Sequence, residues 1–263
     1  MSPSGEKFRP RVPLWCFLAV ISAVAAGAGA GAEIPARIEI VTEDVPPFNY
    51  VENGQVTGVS TEVVEAVLKE IGIEGHFTVL PWARAMSVAQ AKPNILIYSI
   101  NPTPVRLPLF KWVGVIASGN TVLYCLRSRP VSVDSLESVK NYRMGTILHD
   151  FRMEYFLANG WQVGRNLETA STQEMNYAKL KAGRIDLWPM DSSVMAYLVR
   201  KAGDDPDTML KPLMTMDAQL GAGTFEAAFG LYSDDELVTR FREGLQRIKD
   251  KGIYDAILRK WRH

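Results

Sequence analysis

Ile95-Leu-Ile-Tyr-Ser-Ile100, followed at once by Asn101-Pro-Thr-Pro-Val-Arg106, is the stretch on which the fold turns. An unbroken apolar run of this length, closed by turn residues, reads as a strand buried on both faces, the kind found in open α/β sheets. Prolines 102 and 104 stiffen the turn. It ends in Arg106, a permanently charged planar fork of donors that matches a carboxylate, with the Thr103 hydroxyl nearby. A polar turn at the carboxyl end of such a strand is where α/β sheets build ligand crevices. From this segment alone, a solvated surface arginine is an equal alternative.

Upstream, Arg37-Ile-Glu-Ile-Val-Thr42 alternates as a strand does, and Asn53-Gly54 marks a hairpin. Val63, Val64, Val67, Leu68 and Ile71 then recur at helical spacing, with Ser60 as the predicted cap and Gly72 as the stop. Phe77–Leu80 reads as a strand and residues 83–91 as a helix. Strands alternating with helices predict a parallel α/β sheet. The pattern restarts downstream with strands at Val122–Leu126 and Tyr142–Leu148 and helices over 150–158 and 172–182. Leu187–Met190 is a short predicted strand ending at Asp191, after which Ser192 or Ser193 caps a helix. Ala227–Tyr232 is a late strand, and the last 30 residues read as helix broken near Gly252. No flexible Gly/Ser linker separates the two α/β units, so the pattern predicts two lobes joined by strands at Ile116–Asn120 and Gly221–Phe225.

Lys7, Arg9 and Arg11 precede an apolar run from Leu14 to Ala26 and small residues ending at Ala32. This order is that of a cleaved secretory signal peptide over residues 1–32, and it predicts a periplasmic protein. The run is shorter than the ~20 residues that span a bilayer. Removing it leaves 26 basic against 28 acidic residues, about −2, which gives no reason to expect nucleic acid or an anionic membrane as partner. Only Cys125 remains, inside an apolar strand, so no intramolecular disulfide forms and the core must carry the fold.

Thr42-Glu-Asp-Val-Pro-Pro-Phe-Asn-Tyr50, Gly58, Thr103-Pro-Val-Arg106, Gly183-Arg-Ile-Asp186 with Asp191, and Gly252-Ile-Tyr-Asp-Ala-Ile-Leu-Arg-Lys-Trp261 occur in order over nearly the whole mature chain. As an ordered set they resemble the bacterial extracellular solute-binding proteins of family 3, the type-II periplasmic binding proteins that serve mostly polar amino-acid ABC transporters. The resemblance implies an α/β, two-lobed type-II fold with a ligand cleft between the lobes. Lobe one would comprise residues 33–116 plus 228–263 and lobe two residues 117–227. It further implies a monomeric, cofactor-free receptor that delivers a small polar ligand to a membrane permease.

Carried over position by position, the resemblance gives Arg106 the ligand carboxylate and Asp191 the ligand ammonium. Ser99 and Asn101 would add hydrogen bonds, and Trp82 and Phe48 would line the apolar part of the pocket. For Asp191 the local alternative is a helix N-terminal acid favoured by the macrodipole. The chain departs from the amino-acid-binding pattern in three ways. Val45 replaces an aromatic wall. His149-Asp150 stands where a glycine-threonine pair contacts the ligand carboxylate, so Asp150 would repel that carboxylate or hold a second cationic group. Arg84 is an added arginine, either a second anion grip or a solvated helix residue. The ligand could therefore be a polar or basic amino acid, a derivative, or another small carboxylate or amine.

Some members of the family are dehydratases of cyclohexadienyl acids, so catalysis is the competing expectation, with an exported ligand sensor as a third. Against catalysis, the three histidines fall on a strand start, a loop and the terminus. Neither a nucleophile elbow, a metal-ligand spacing nor a nucleotide loop occurs. No catalytic or metal-ligating residue is expected.

Overall fold

The computed structural model describes residues 35–261 apart from residue 222, so the leader expected over 1–32 lies outside the described residues. The chain opens with β1 (Arg37–Thr42), the hairpin β2 (Tyr50–Glu52) and β3 (Gln55–Thr57), α1 (Val59–Ile71), β4 (Glu74–Val79), α2 (Trp82–Ala91) and β5 (Ile95–Ile100). A 3₁₀ turn at Leu107–Leu109 leads into β6 (Phe110–Ser118). The second half begins with β7 (Thr121–Leu126), α3 (Leu136–Val139), β8 (Met144–Ile147), α4 (Phe151–Ala158), β9 (Leu167–Ala170) and α5 (Gln173–Lys181). It continues through β10 (Trp188–Asp191), α6 (Ser192–Lys201), α7 (Pro206–Met209), β11 (Leu210–Thr215) and α8 (Asp217–Leu220). The chain then returns through β12 (Thr224–Gly230) to α9 (Asp235–Asp250) and α10 (Ile253–Lys260).

Two main sheets organise the molecule. The first has the order β4-β1-β5-β12-β6 and the second the order β10-β7-β11, with β8 and β9 as a separate pair. The expected parallel sheet holds for β4-β1-β5, whereas β12 lies antiparallel to β5 and β6. β12 arrives from the second half and enters at the edge where β5 leaves, so it must run the opposite way. The second sheet is antiparallel throughout, which also differs from expectation.

Every residue of β5 is buried, as its unbroken apolar run requires. Leu96 and Tyr98 pack with α1 and α9 residues such as Val63, Val67, Phe241 and Leu245. Ile95 and Ile97 point the other way, onto Trp82, Ala85 and Ala89 of α2. This two-residue alternation sandwiches the sheet between helices. The second sheet does the same, with Tyr124, Trp188 and Leu198 in one cluster and Leu123, Cys125, Met144 and Phe156 in another.

Two predicted caps are corrected. α1 is capped by Gly58, at φ 117°, and not by Ser60, which is buried inside the first turn. A Cβ at Gly58 would collide with the Phe48 backbone. α6 is capped by Asp191, whose carboxylate accepts from Ser193 N and Val194 N, and not by Ser192 or Ser193. No loop separates β10 from α6, so the last strand residue is also the cap. The two segments that pass between the sheets run side by side, with Gly119 N donating to Gly223 O at 3.2 Å and Ser118 opposite Thr224. Among the described residues no helix is long and apolar enough to cross a membrane.

Candidate functional site

Between the sheets lies a cavity of about 520 Å³, within the range of small-ligand sites. One wall comes from the residues that follow β1, β4 and β5, and the facing wall from the starts of α4, α5 and α6. Of the residues singled out from sequence, Trp82, Ser99, Asn101, Arg106, Asp150 and Asp191 line this cavity. Phe48 and Arg84 do not. Phe48 sits behind Phe225, ring centroids 4.5 Å apart, and it is Phe225 that reaches the cavity. Arg84 is exposed on α2, because it follows Trp82 by two positions and so lies across the helix from it.

Ser99 holds φ at 58° within β5, where the pairing with β12 shifts register. A non-glycine residue in this left-handed region inside a strand is strained, and such strain gathers at binding sites. Its Oγ is buried with no hydrogen-bond partner. Asn101 is anchored by Nδ2 donating to Thr224 O at 2.8 Å.

Arg106 is 1 % exposed. Its Nη2 donates to His149 O and to Glu154 Oε1, each at 3.0 Å. The guanidinium lies 5.0 Å from the Trp82 ring centroid, a cation–π distance. Trp82 Nε1 donates to the same His149 carbonyl at 2.8 Å. His149 itself is left-handed, φ 60°, and this turns its carbonyl into an acceptor shared by both side chains. The arginine expected to await a ligand carboxylate thus already faces one from α4.

Asp150 and Arg152 form a second buried pair, Nε to Oδ1 at 2.7 Å, while Arg152 Nη1 donates to Pro189 O at 3.1 Å. Asp191 accepts from Ser193 N, Val194 N and Asn120 N at 2.8–3.1 Å. Burial raises its pKa, and those backbone donors oppose the rise. Gly119 is required beside it, since a Cβ there would strike the Asp191 carboxylate.

Glu43 and Asp44 also line the cavity. Asn49 fixes their loop, its Nδ2 donating to Glu43 O at 2.6 Å and Thr42 Oγ1 at 2.9 Å. Burial, then the charge of Asp150, push the Glu43 carboxyl up to about 8. In all, five carboxylates (Glu43, Asp44, Asp150, Glu174, Asp191) and two guanidiniums line the cavity. Both guanidiniums are held by carboxylates of the protein itself.

Sequence reasoning missed Glu43, Asp44, Arg152, Glu154 and Phe225. Glu43 and Asp44 carried a usable signal, because they directly follow the first strand at the end where crevices form. Glu154 carried none. It lies in the first helical turn of α4 and meets Arg106 only through the tertiary fold.

Two α/β lobes facing one another across a ligand-sized cavity are the architecture of a type-II periplasmic binding protein. Residues 38–263 match the family of bacterial extracellular solute-binding proteins, family 3, and the chain belongs to it. It is 22% identical over 219 residues to the arginine-binding extracellular protein ArtP of Bacillus subtilis, covering 83% of this chain and 82% of that one. It is also 22% identical over 251 residues to the lysine/arginine/ornithine-binding periplasmic protein of Escherichia coli, covering 93% and 94%. Among solved structures, a histidine kinase sensor domain with similarity to periplasmic binding proteins superposes with a TM-score of 0.76 at 22% identity, covering 86% of this chain and 95% of that one. The two sequence relatives are binding proteins by name.

Proposed function

We propose that this chain is the exported receptor of an ABC-type importer and captures a small cationic polar solute by closure of its lobes. The observation that carries this is the charge of the cavity. Five carboxyl groups line it, Asp150 pairs Arg152 and Glu154 pairs Arg106. Glu43 is held largely protonated at neutral pH, and Asp44 and Asp191 have no ion-pair partner among the described residues. A positive ligand entering such a cleft is attracted, whereas a plain anion meets no guanidinium that is free of a protein carboxylate. The two relatives named above are described as binding arginine, or lysine, arginine and ornithine, which supports a basic ligand. The signal-peptide pattern over residues 1–32 supports export to the periplasm, and a membrane permease is the partner that this role requires.

In this reading lobe one is residues 33–116 plus 228–263 and lobe two is 117–227. Asp191 holds the ligand's positive group with Glu43 and Asp44 facing it, Ser99 and Asn101 supply hydrogen bonds, and Trp82 and Phe225 cover the apolar part.

Asp191→Asn provides the test. Asparagine caps helices as well as aspartate, so the melting temperature should stay within a few degrees while calorimetric affinity for a cationic ligand falls about tenfold or more. Unchanged affinity would remove Asp191 from the binding role. A thermal-shift panel of basic amino acids and amines on the wild-type protein should contain at least one stabilising compound, because native-state binding must raise the melting point.

A further inference from the structure

We infer that the ligand is a cation carrying no free carboxylate, an alkyl amine or guanidine, because Glu154 already pairs with the Arg106 guanidinium that a ligand carboxylate would need. This rests on the receptor role proposed above and narrows its substrate class.

The Nε and Nη2 donors of a guanidinium form one edge of its fork, the edge that takes a carboxylate side-on. In Arg106 one donor of that edge, Nη2, is on Glu154 Oε1 at 3.0 Å and also on His149 O at 3.0 Å. Arg106 Nε and Glu154 Oε2 are both buried without a partner. They are complementary, one a donor and the other an acceptor. Pairing of these two atoms would complete a two-pronged contact from within the protein.

The surroundings oppose a second carboxylate. Asp150 and Glu43 stand close enough that the charges of Asp150, Arg152 and Arg106 all act on Glu43. Arg152 cannot substitute as an anion grip, since its Nε and Nη2 edge is taken by Asp150. The three helix starts at the cavity would ordinarily favour an anion. Here Asp150, Thr172 and Asp191 already cap them, and two of those caps are themselves carboxylates. What remains for a ligand is acidic: Asp44 and Asp191, with Glu43 able to ionise as pH rises toward about 8, and the unpartnered Ser99 Oγ. An organic cation is favoured over a metal ion, because among the described residues no three His, Cys, Asp or Glu side chains converge as metal ligands do.

Calorimetry with three matched pairs tests the inference: L-arginine and agmatine, L-lysine and cadaverine, L-ornithine and putrescine. Each amine differs from its amino acid by the carboxylate alone. In the wild-type protein the best-bound amine should exceed its amino acid by at least tenfold. Glu154→Gln, which keeps shape and removes the charge, should free Arg106 and shift that ratio at least tenfold toward the amino acid. An amino acid bound as tightly as its amine, or more tightly, overturns the inference and leaves the receptor role standing. Binding of none of the six overturns both. An amine preference that Glu154→Gln leaves unmoved removes Glu154 as its cause and overturns the mechanism. The wild-type ratio decides the ligand class even where Glu154→Gln fails to fold.

Discussion

Glu43 shows how a single residue ties the charge of the cavity to pH. An ordinary glutamate ionises near 4.3, whereas burial and Asp150 raise this one to about 8. The folded protein therefore holds a proton that the unfolded chain gives up. The stability linked to Glu43 is fully present below the unfolded pKa and is lost progressively as pH rises toward about 8. Melting temperature measured from pH 5 to pH 8 should consequently fall less steeply in Glu43→Gln than in the wild type. A cationic ligand favours the ionised carboxylate, so its wild-type affinity should rise with pH up to about 8, and that rise should flatten in Glu43→Gln. Parallel curves for the two proteins would exclude Glu43 as the titrating group. In the sequence this residue is one acid among 29. Only its position after β1 hinted at a role, and the raised pKa depends on Asp150, which is distant in the chain.

At the scale of elements, most of the fold was legible because the signals are local. The two-residue alternation of β1, the unbroken run of β5 and the helical spacing in α1 and α9 depend on neighbours a few residues away. β6 (Phe110–Ser118) went unread because six of its nine residues are only partly buried or exposed and its pairing with β12 spans more than a hundred residues. The approach of α1 to α9 is likewise tertiary. Gly244 allows it, since a Cβ there would lie 2.5 Å from Ile71 Cγ2 and 3.2 Å from Val67 Cγ1. Both are core side chains with no room to retreat. Gly244→Val should therefore destabilise the protein by about 1–3 kcal/mol through overpacking, read as a lowered denaturant midpoint with an unchanged slope. A midpoint equal to wild type would mean that the helices separate at little cost.

For the whole molecule, polar as well as apolar contacts join the two halves, Tyr50 lying on Tyr197 with ring centroids 5.7 Å apart. Trp82 and Arg106 from one side meet His149 and Glu154 from the other. In the proposed receptor, lobe closure would be a balance of populations, and these contacts would favour the closed state. Trp82→Phe keeps an aromatic wall and deletes the hydrogen bond to His149 O. A bond of that kind contributes about 0.5–1.5 kcal/mol, so the ratio of closed to open forms should fall roughly twofold to tenfold. Small-angle scattering of the ligand-free protein should show a larger radius of gyration for the variant. Identical radii would place the bond outside the closing equilibrium.

The amino-acid sequence by itself determined the strand and helix types, the α/β class and the family resemblance, and through that resemblance it pointed to six residues that line the cavity. The elements rest on spacing along the chain. The tertiary structure decided which charges neutralise one another. Arg106 and Glu154 are 48 residues apart, and in water their attraction across that span of flexible chain is screened to almost nothing. Folding buries the guanidinium and brings the two to 3.0 Å, where one carboxylate pairs with a guanidinium that the sequence left open to any anion.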